Sequence, residues 1–141
     1  MATSTAPKKP VENWEAVRDE WIAAVEKLFR EISGWSRARD WALLEEKKTI
    51  TEDRLGSYRL PRLLIHASFG RMVLDPISRY VVGASGLIEF SELPSYDCYL
   101  IAREAEGDDW FIQSGDVAGL RRPFNEQTFI DTVNSFEIAH Q

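Results

Sequence analysis

Two carboxylates offer the best enzymatic chemistry in this chain. Asp75 stands before Pro76, which should end one strand, and Glu89 lies in the strand expected next. In an antiparallel sheet the two side chains can come close enough to hold a divalent cation, as in metal-dependent hydrolases and nucleases. Nucleases of the restriction type place a lysine two residues after the second carboxylate, but Ser91 stands there and no lysine follows Lys48. A metal-dependent hydrolase is therefore the alternative hypothesis rather than the leading one.

A run of arginines accompanies the first strands of the expected sheet. The planar guanidinium binds carboxylates or phosphates through paired hydrogen bonds, so the run suits the docking of an acidic partner or a nucleic-acid strand. The same arginines can instead balance nearby acidic residues in surface ion pairs, each of which contributes little to stability. The binding residues predicted on this basis are Arg59, Arg62, Arg71 and Arg79, with Arg54 beside them.

Other residues that often carry catalysis are too few or poorly spaced. His66 lies in an apolar strand and His140 is one residue from the end, so with Cys98 they do not supply the three or four ligands of a zinc site. Residues 83–87 resemble a nucleophile elbow around a serine, but Leu87 stands where that motif needs glycine and no helix pattern follows. A catalytic pair of the Cys98 thiol and His66 is even less favoured, because a lone cysteine in an apolar strand usually belongs to the hydrophobic core. We therefore predict no catalytic residue, no bound metal and no cofactor.

Charge is unevenly distributed over the 141 residues. Residues 1–50 carry nine Lys or Arg and nine Asp or Glu, whereas residues 51–141 carry eight and fourteen, which accounts for the whole net charge of −6. An acidic chain repels a phosphate backbone, so nucleic-acid binding is disfavoured. Cys98 has no cysteine to pair with, and no apolar run is long enough to cross a membrane, so we expect a cytoplasmic protein without a membrane partner.

Helical periodicity is clearest near the start of the chain, after a polar stretch at residues 1–10 that is expected to be a disordered tail. From Trp14 to Ile32, apolar residues recur at spacings of three and four, which predicts an amphipathic helix stopped by Ser33-Gly34. Residues 35–48 fit either a short helix or a strand. Because β-branched residues gather just beyond them, we favour a strand at residues 42–51.

The rest of the chain predicts a sheet and a second helix. Connections between the expected strands are too short for parallel crossovers, so the sheet should be an antiparallel meander. Asn125 is the expected N-cap of a helix that places Phe129, Val133 and Phe136 on one face. The predicted fold is α+β, with an N-terminal amphipathic helix, a meander of five or six strands and a C-terminal helix in a single domain over residues 11–141. After the first, the strands are expected at residues 58–67, 71–75, 87–91, 96–103 and 110–113.

Aromatic side chains are abundant, with five tryptophans, four tyrosines and seven phenylalanines. In a sheet that is covered on one face only, apolar and polar residues should alternate along each strand more regularly than they do here. Either both faces are covered within the chain, or one face or edge is kept for a partner, where aromatic residues near arginines act as anchors. The leading hypothesis is a non-catalytic protein-binding module of the adaptor, chaperone-like or immunity type. Its partner would be another protein or a second copy of the chain.

A spaced set of glycine, proline and apolar residues runs through residues 35–138. It consists of Gly56-x-Tyr58-x-x-Pro61-x-Leu63-x-Ile65, Leu74-x-Pro76, Gly83-Ala84-x-Gly86 with an acidic residue three positions on, and a closing helix after Phe129. In these residues the chain resembles a group of small bacterial proteins to which no activity is attached. The resemblance implies an α+β fold and a bacterial source, and it carries over no catalytic residue.

Overall fold

The computed structural model describes residues 13–93, 97–114 and 121–139. Helix α1 (Trp14–Arg37) precedes the strands and helix α2 (Glu126–Ile138) follows them, so the predicted α+β order is confirmed. The sheet, however, has seven strands rather than five or six. The predicted tail at residues 1–10 lies outside the described residues. The strands are β1 (Ala42–Glu52), β2 (Gly56–Ala67), β3 (Gly70–Ser78), β4 (Leu87–Leu93), β5 (Cys98–Arg103), β6 (Trp110–Ser114) and β7 (Arg121–Pro123).

Each strand pairs antiparallel with the next in sequence, in the order β1 to β7, which confirms the predicted meander. The choice of a strand for residues 42–51 is also confirmed, by β1. The additional strand is β7, which has only three residues and therefore too little alternation to be recognised in the sequence. It exists because its residues pair with β6, placing Arg121 opposite Gln113.

Helix α1 continues beyond the predicted stop at Ser33-Gly34 and ends at Arg37. The extra turn is held by Ser36, which is fully buried and donates its hydroxyl to the Ile32 carbonyl at 2.8 Å. The left-handed conformation that glycine often takes after a helix is found at Asp40, with φ of 61°. Tertiary contacts thus decide where this helix ends.

Each helix has an asparagine as its N-cap residue. Asn13 Oδ1 accepts a hydrogen bond from the Ala16 N–H at 3.1 Å. Asn125 Oδ1 accepts one from the Thr128 N–H at 3.0 Å, and Thr128 Oγ1 accepts one from the Asn125 N–H at 2.9 Å, which confirms the predicted cap. In the described part of the chain, neither helix is long and apolar enough to cross a membrane.

Both helices pack against the same face of the sheet, which we call the inner face. The Phe90 ring of β4 stacks on Phe129 of α2 with ring centroids 5.6 Å apart, and it meets Phe136 edge-on at 5.3 Å. From α1, Trp21 is completely buried in the same core and its ring lies 6.1 Å from that of Trp110. Most described aromatic side chains therefore belong to one core. This explains why the sequence contains so many of them.

Strand β2 changes the face that it buries. Successive residues of a strand point to opposite faces, yet Leu60 and Pro61 are neighbours and both are buried. Before this point the buried residues are Tyr58 and Leu60, and after it they are Leu63 and Ile65. This change explains the imperfect alternation of the sequence.

Candidate binding surfaces

The face of the sheet that points away from the helices is called the outer face. It is formed by the side chains that alternate with the core residues along each strand. Along β2, Tyr58 and Leu60 point to the same side but are buried in the core that contains Trp21 of α1, so the outer face begins at Arg62. Its members include Leu44, Glu46, Arg62, Leu64, His66, Arg71, Val73, Asp75, Glu89, Leu100 and Phe111.

Asp75 and Glu89 are direct cross-strand partners on the outer face, so the structure brings together the two carboxylates of the hydrolase hypothesis. Lys48 Nζ lies 2.7 Å from Asp75 Oδ1 and donates to the Pro76 carbonyl at 2.7 Å, while Arg62 Nε lies 3.9 Å from the same Oδ1. A divalent cation would have to displace this ammonium group. Among the described residues, no group of three or more His, Cys, Asp or Glu is placed to hold a metal.

The predicted arginines divide between separate places. Arg62 and Arg71 lie on the outer face, on β2 and β3. Arg59 is exposed on the first half of β2, before the strand changes face. Arg79 lies beyond the end of β3, where its guanidinium carbon is 5.0 Å from the centroid of the Tyr80 ring. The cluster seen in the sequence is therefore not one surface patch.

A shallow apolar groove of about 160 Å³ opens on the outer face, where the start of β1 lies beside the end of β2. Leu44 and Leu64 are cross-strand partners in its wall, and Leu44 is 58% exposed. His66 and Arg71 are also cross-strand partners, both exposed, and both line the groove. Among the described residues, Arg71 takes part in no ion pair, unlike Arg62. The groove thus combines exposed apolar surface with an unpaired guanidinium.

A larger cleft of about 480 Å³ lies between α1 and the turn joining β5 to β6. Arg103, which is only 3% exposed, lines it and makes a bidentate ion pair with Glu20, at 2.7 Å from Nη1 to Oε2 and 3.0 Å from Nη2 to Oε1. The same guanidinium donates from Nε to Ser85 Oγ at 3.0 Å and lies 5.4 Å from the centroid of the Trp21 ring. This buried charge is therefore bound by a carboxylate and a hydroxyl and lies beside an aromatic ring, as a buried ion requires.

Sequence reasoning missed Arg103, although a signal was present. Tyr99, Ile101 and Arg103 alternate along β5, a pattern that places the arginine on the same face as the buried Ile101. Its partner could not be found in this way, because Glu20 lies 83 residues earlier.

Glu52 is a second polar centre that sequence reasoning missed. Its carboxylate accepts hydrogen bonds from the Tyr58 hydroxyl, from the Ser78 hydroxyl at 2.7 Å, and from the N–H groups of Arg79 and Tyr80, both at 3.1 Å. Burial raises the pKa of Glu52, but these four donors together outweigh burial and hold that pKa below its ordinary value of 4.5. Burial and the adjacent carboxylate raise the pKa of Tyr58 above its ordinary value of 10.0. These hydrogen bonds connect the end of β1 to the end of β3 and to the segment that follows it.

Comparison with known proteins identifies no relative: no protein-family model, no curated protein and no solved structure matches this chain. The functional interpretation therefore rests on the geometry of its surfaces.

Proposed function

We propose that this protein is a non-catalytic, cytoplasmic protein-binding module of the adaptor, chaperone-like or immunity type, and that its partner docks on the outer face at the apolar groove. The observation that carries the proposal is the position of the exposed Leu44 side chain beside a groove whose rim holds the unpaired Arg71. An exposed apolar side chain next to an arginine is a common arrangement at the centre of protein interfaces.

The chemistry of the groove defines the partner. Its Leu44 and Leu64 wall suits an apolar side chain, because burying both surfaces removes apolar area from water. Arg71 suits a carboxylate, which its planar fork binds through two hydrogen bonds. The partner is therefore a protein that presents an apolar side chain next to Asp or Glu. Because the whole chain carries a net charge of −6, that carboxylate must be recognised at short range rather than by long-range attraction.

The outer face supports binding better than catalysis. Its two central carboxylates do not form a free acidic pair, since Lys48 is bound to Asp75. The same network fixes Arg62, whose Nη1 lies 3.0 Å from Glu46 Oε1. Arg62 is therefore held in place by carboxylates of the outer face, whereas Arg71 remains available for a partner.

The test begins with capture of the partner by cross-linking in the host, followed by measurement of its dissociation constant with purified proteins. We expect Arg71→Glu and Leu44→Asp each to weaken binding about tenfold or more, the size of effect found at central interface residues. Both side chains are exposed, so the melting temperature should stay close to that of the wild type. Arg30→Glu is the matched control, because Arg30 is exposed on α1 and in no ion pair of the described residues.

Unchanged affinity in both Arg71→Glu and Leu44→Asp would overturn the proposal. Arg62→Glu is a less clean variant, because it also breaks the ion pair with Glu46. Thermal stabilisation by Mg²⁺ or Mn²⁺ that disappears in Asp75→Asn would instead favour the metal-dependent hydrolase built on Asp75 and Glu89.

A further inference from the structure

Strand β1 is an open edge of the sheet. It pairs with β2 on one side, and among the described residues no strand lies on its other side. The four successive residues from Leu44 to Lys47 are all exposed, so neither face of the strand is covered at its middle by the described residues. One row of backbone N–H and C=O groups along this stretch is therefore available to a further strand.

The charges of this edge follow a simple order, since Glu45 and Glu46 are followed by Lys47 and Lys48. Lysines alone would protect an edge from pairing. Two glutamates followed by two lysines have the opposite effect on an antiparallel copy of the same strand, because acidic residues then meet basic ones. We propose that β1 pairs antiparallel with β1 of a second copy of this chain, which joins the two sheets into one.

Symmetry restricts the register of this pairing. A two-fold axis perpendicular to the joined sheet keeps each face on its own side, so a residue can lie opposite only a residue whose side chain points to the same face. Glu45 then pairs with Lys47 of the second copy, Lys47 pairs with its Glu45, and Glu46 lies opposite its own equivalent on the axis. The paired segment is residues 42–50 of both chains.

The existing ion pairs favour this register over its neighbour. Glu45 and Lys47 are exposed and take part in no ion pair among the described residues, so the dimer gives each of them a partner. Glu46 can lie on the axis because Arg62 already neutralises it at 3.0 Å. The register centred on Lys47 would instead place two unpaired Lys47 ammonium groups opposite each other and would require Lys48, which is already bound to Asp75 at 2.7 Å. The register centred on Glu45 would place two unpaired Glu45 carboxylates opposite each other.

This dimer does not depend on the proposed function. Pairing uses the backbone edge of β1, whereas the side chains of Leu64, His66 and Arg71 on β2 and β3 remain open to a partner. Leu44 belongs to both surfaces, so Arg71→Glu on β3 tests the groove alone, while Glu45→Lys and Lys47→Glu test the dimer.

The experiment measures the mass of the full-length protein by light scattering and native mass spectrometry over a series of micromolar concentrations. The wild type should reach twice the mass of one chain, which is 16.2 kDa. Glu45→Lys and Lys47→Glu each place like charges opposite each other at two positions, so each should raise the dimer dissociation constant about tenfold or more. An equimolar mixture of the two variants should recover dimers that contain one chain of each, because both charge pairs are then complementary.

Controls are supplied by Glu106→Lys and Lys27→Glu, which reverse the same charges at exposed positions away from β1 and should leave the dimer intact. A wild type that remains a single chain at every concentration overturns the proposal. Dimers that survive both Glu45→Lys and Lys47→Glu, or a mixture that forms no mixed dimer, overturn the pairing of these strands.

Discussion

At the scale of single residues, the most constrained positions hold parts of the fold together rather than perform chemistry. Glu52 accepts hydrogen bonds from four donors, which lie on β2, at the end of β3 and in the segment after β3. Gly86 has φ of 151° and lies against the ring of Trp21, so that an added Cβ would overlap the ring atoms Cζ3 and Cη2. Neither position is as exposed as Arg71, and each leads to a distinct prediction about stability.

Replacing Glu52 by Gln should destabilise the protein at neutral pH by about 1 kcal/mol, because an amide is a weaker acceptor than a carboxylate for the four donors. The folded-state pKa of Glu52 is lowered, so its contribution is present above the ordinary value of 4.5 and is lost as the pH falls through the folded pKa. Denaturant unfolding at several pH values should show the gap between wild type and variant closing on acidification. A gap that stays constant down to pH 3 would contradict this account.

Substituting Ala for Gly86 should destabilise the protein by about 2–4 kcal/mol, through overlap with the fully buried Trp21 ring and the strain of a positive φ. Gly34→Ala is the matched control: Gly34 lies within α1 and an added Cβ meets no atom within 4 Å. That change should stabilise the protein by about 0.5–1 kcal/mol, because alanine favours the helix. Chemical denaturation distinguishes the two, and equal effects would mean that Trp21 moves aside easily.

At the scale of elements, α1 is attached to the rest of the fold at separate points along its length. The ion pair of Glu20 with Arg103 attaches its first half to β5. Near its end, the Trp35 ring packs 5.7 Å from Phe129 of α2. The second contact lies in the turn that extends beyond Ser33-Gly34, which shows why the helix does not stop there.

Glu20→Ala should destabilise the protein by about 1–3 kcal/mol, because it leaves the buried Arg103 guanidinium without its carboxylate. The loss stays moderate because the Glu20 side chain is 53% exposed and water can enter its place. Glu31→Ala removes an exposed carboxylate from the same cleft and should change the free energy of unfolding by less than about 0.5 kcal/mol. Urea unfolding of both variants would measure the difference, and equal losses would show that the ion pair does not hold the helix.

At the scale of the whole molecule, the seven-stranded sheet has two different faces. The inner face takes both helices and most of the aromatic side chains. The outer face carries the ion-pair network of Arg62, Glu46, Asp75 and Lys48. The groove is lined by residues of β1, β2 and β3, and the middle of β1 is exposed, so the strands rather than the helices are expected to meet other molecules.

Much of the fold could be predicted because its signals are local. The apolar stripe of α1, the Asn125 cap and the short connections of the meander each depend on residues a few positions apart, which interact whatever the rest of the chain does. The same reasoning placed Asp75 and Glu89 on neighbouring strands, whereas their direct pairing came from the structure.

Only the tertiary structure decided the features that join distant residues. Lys48 reaches Asp75 across 27 positions and Glu20 reaches Arg103 across 83, and no local pattern encodes either contact. The change of face at Leu60–Pro61, the three residues of β7 and the end of α1 also depend on what packs against them. The sequence by itself determined the order and type of the two helices and of the first six strands, because periodicity, capping and turn residues act over short distances along the chain. Packing determined which charged residues are buried, which are paired, and which, like Arg71, take part in no ion pair of the described residues.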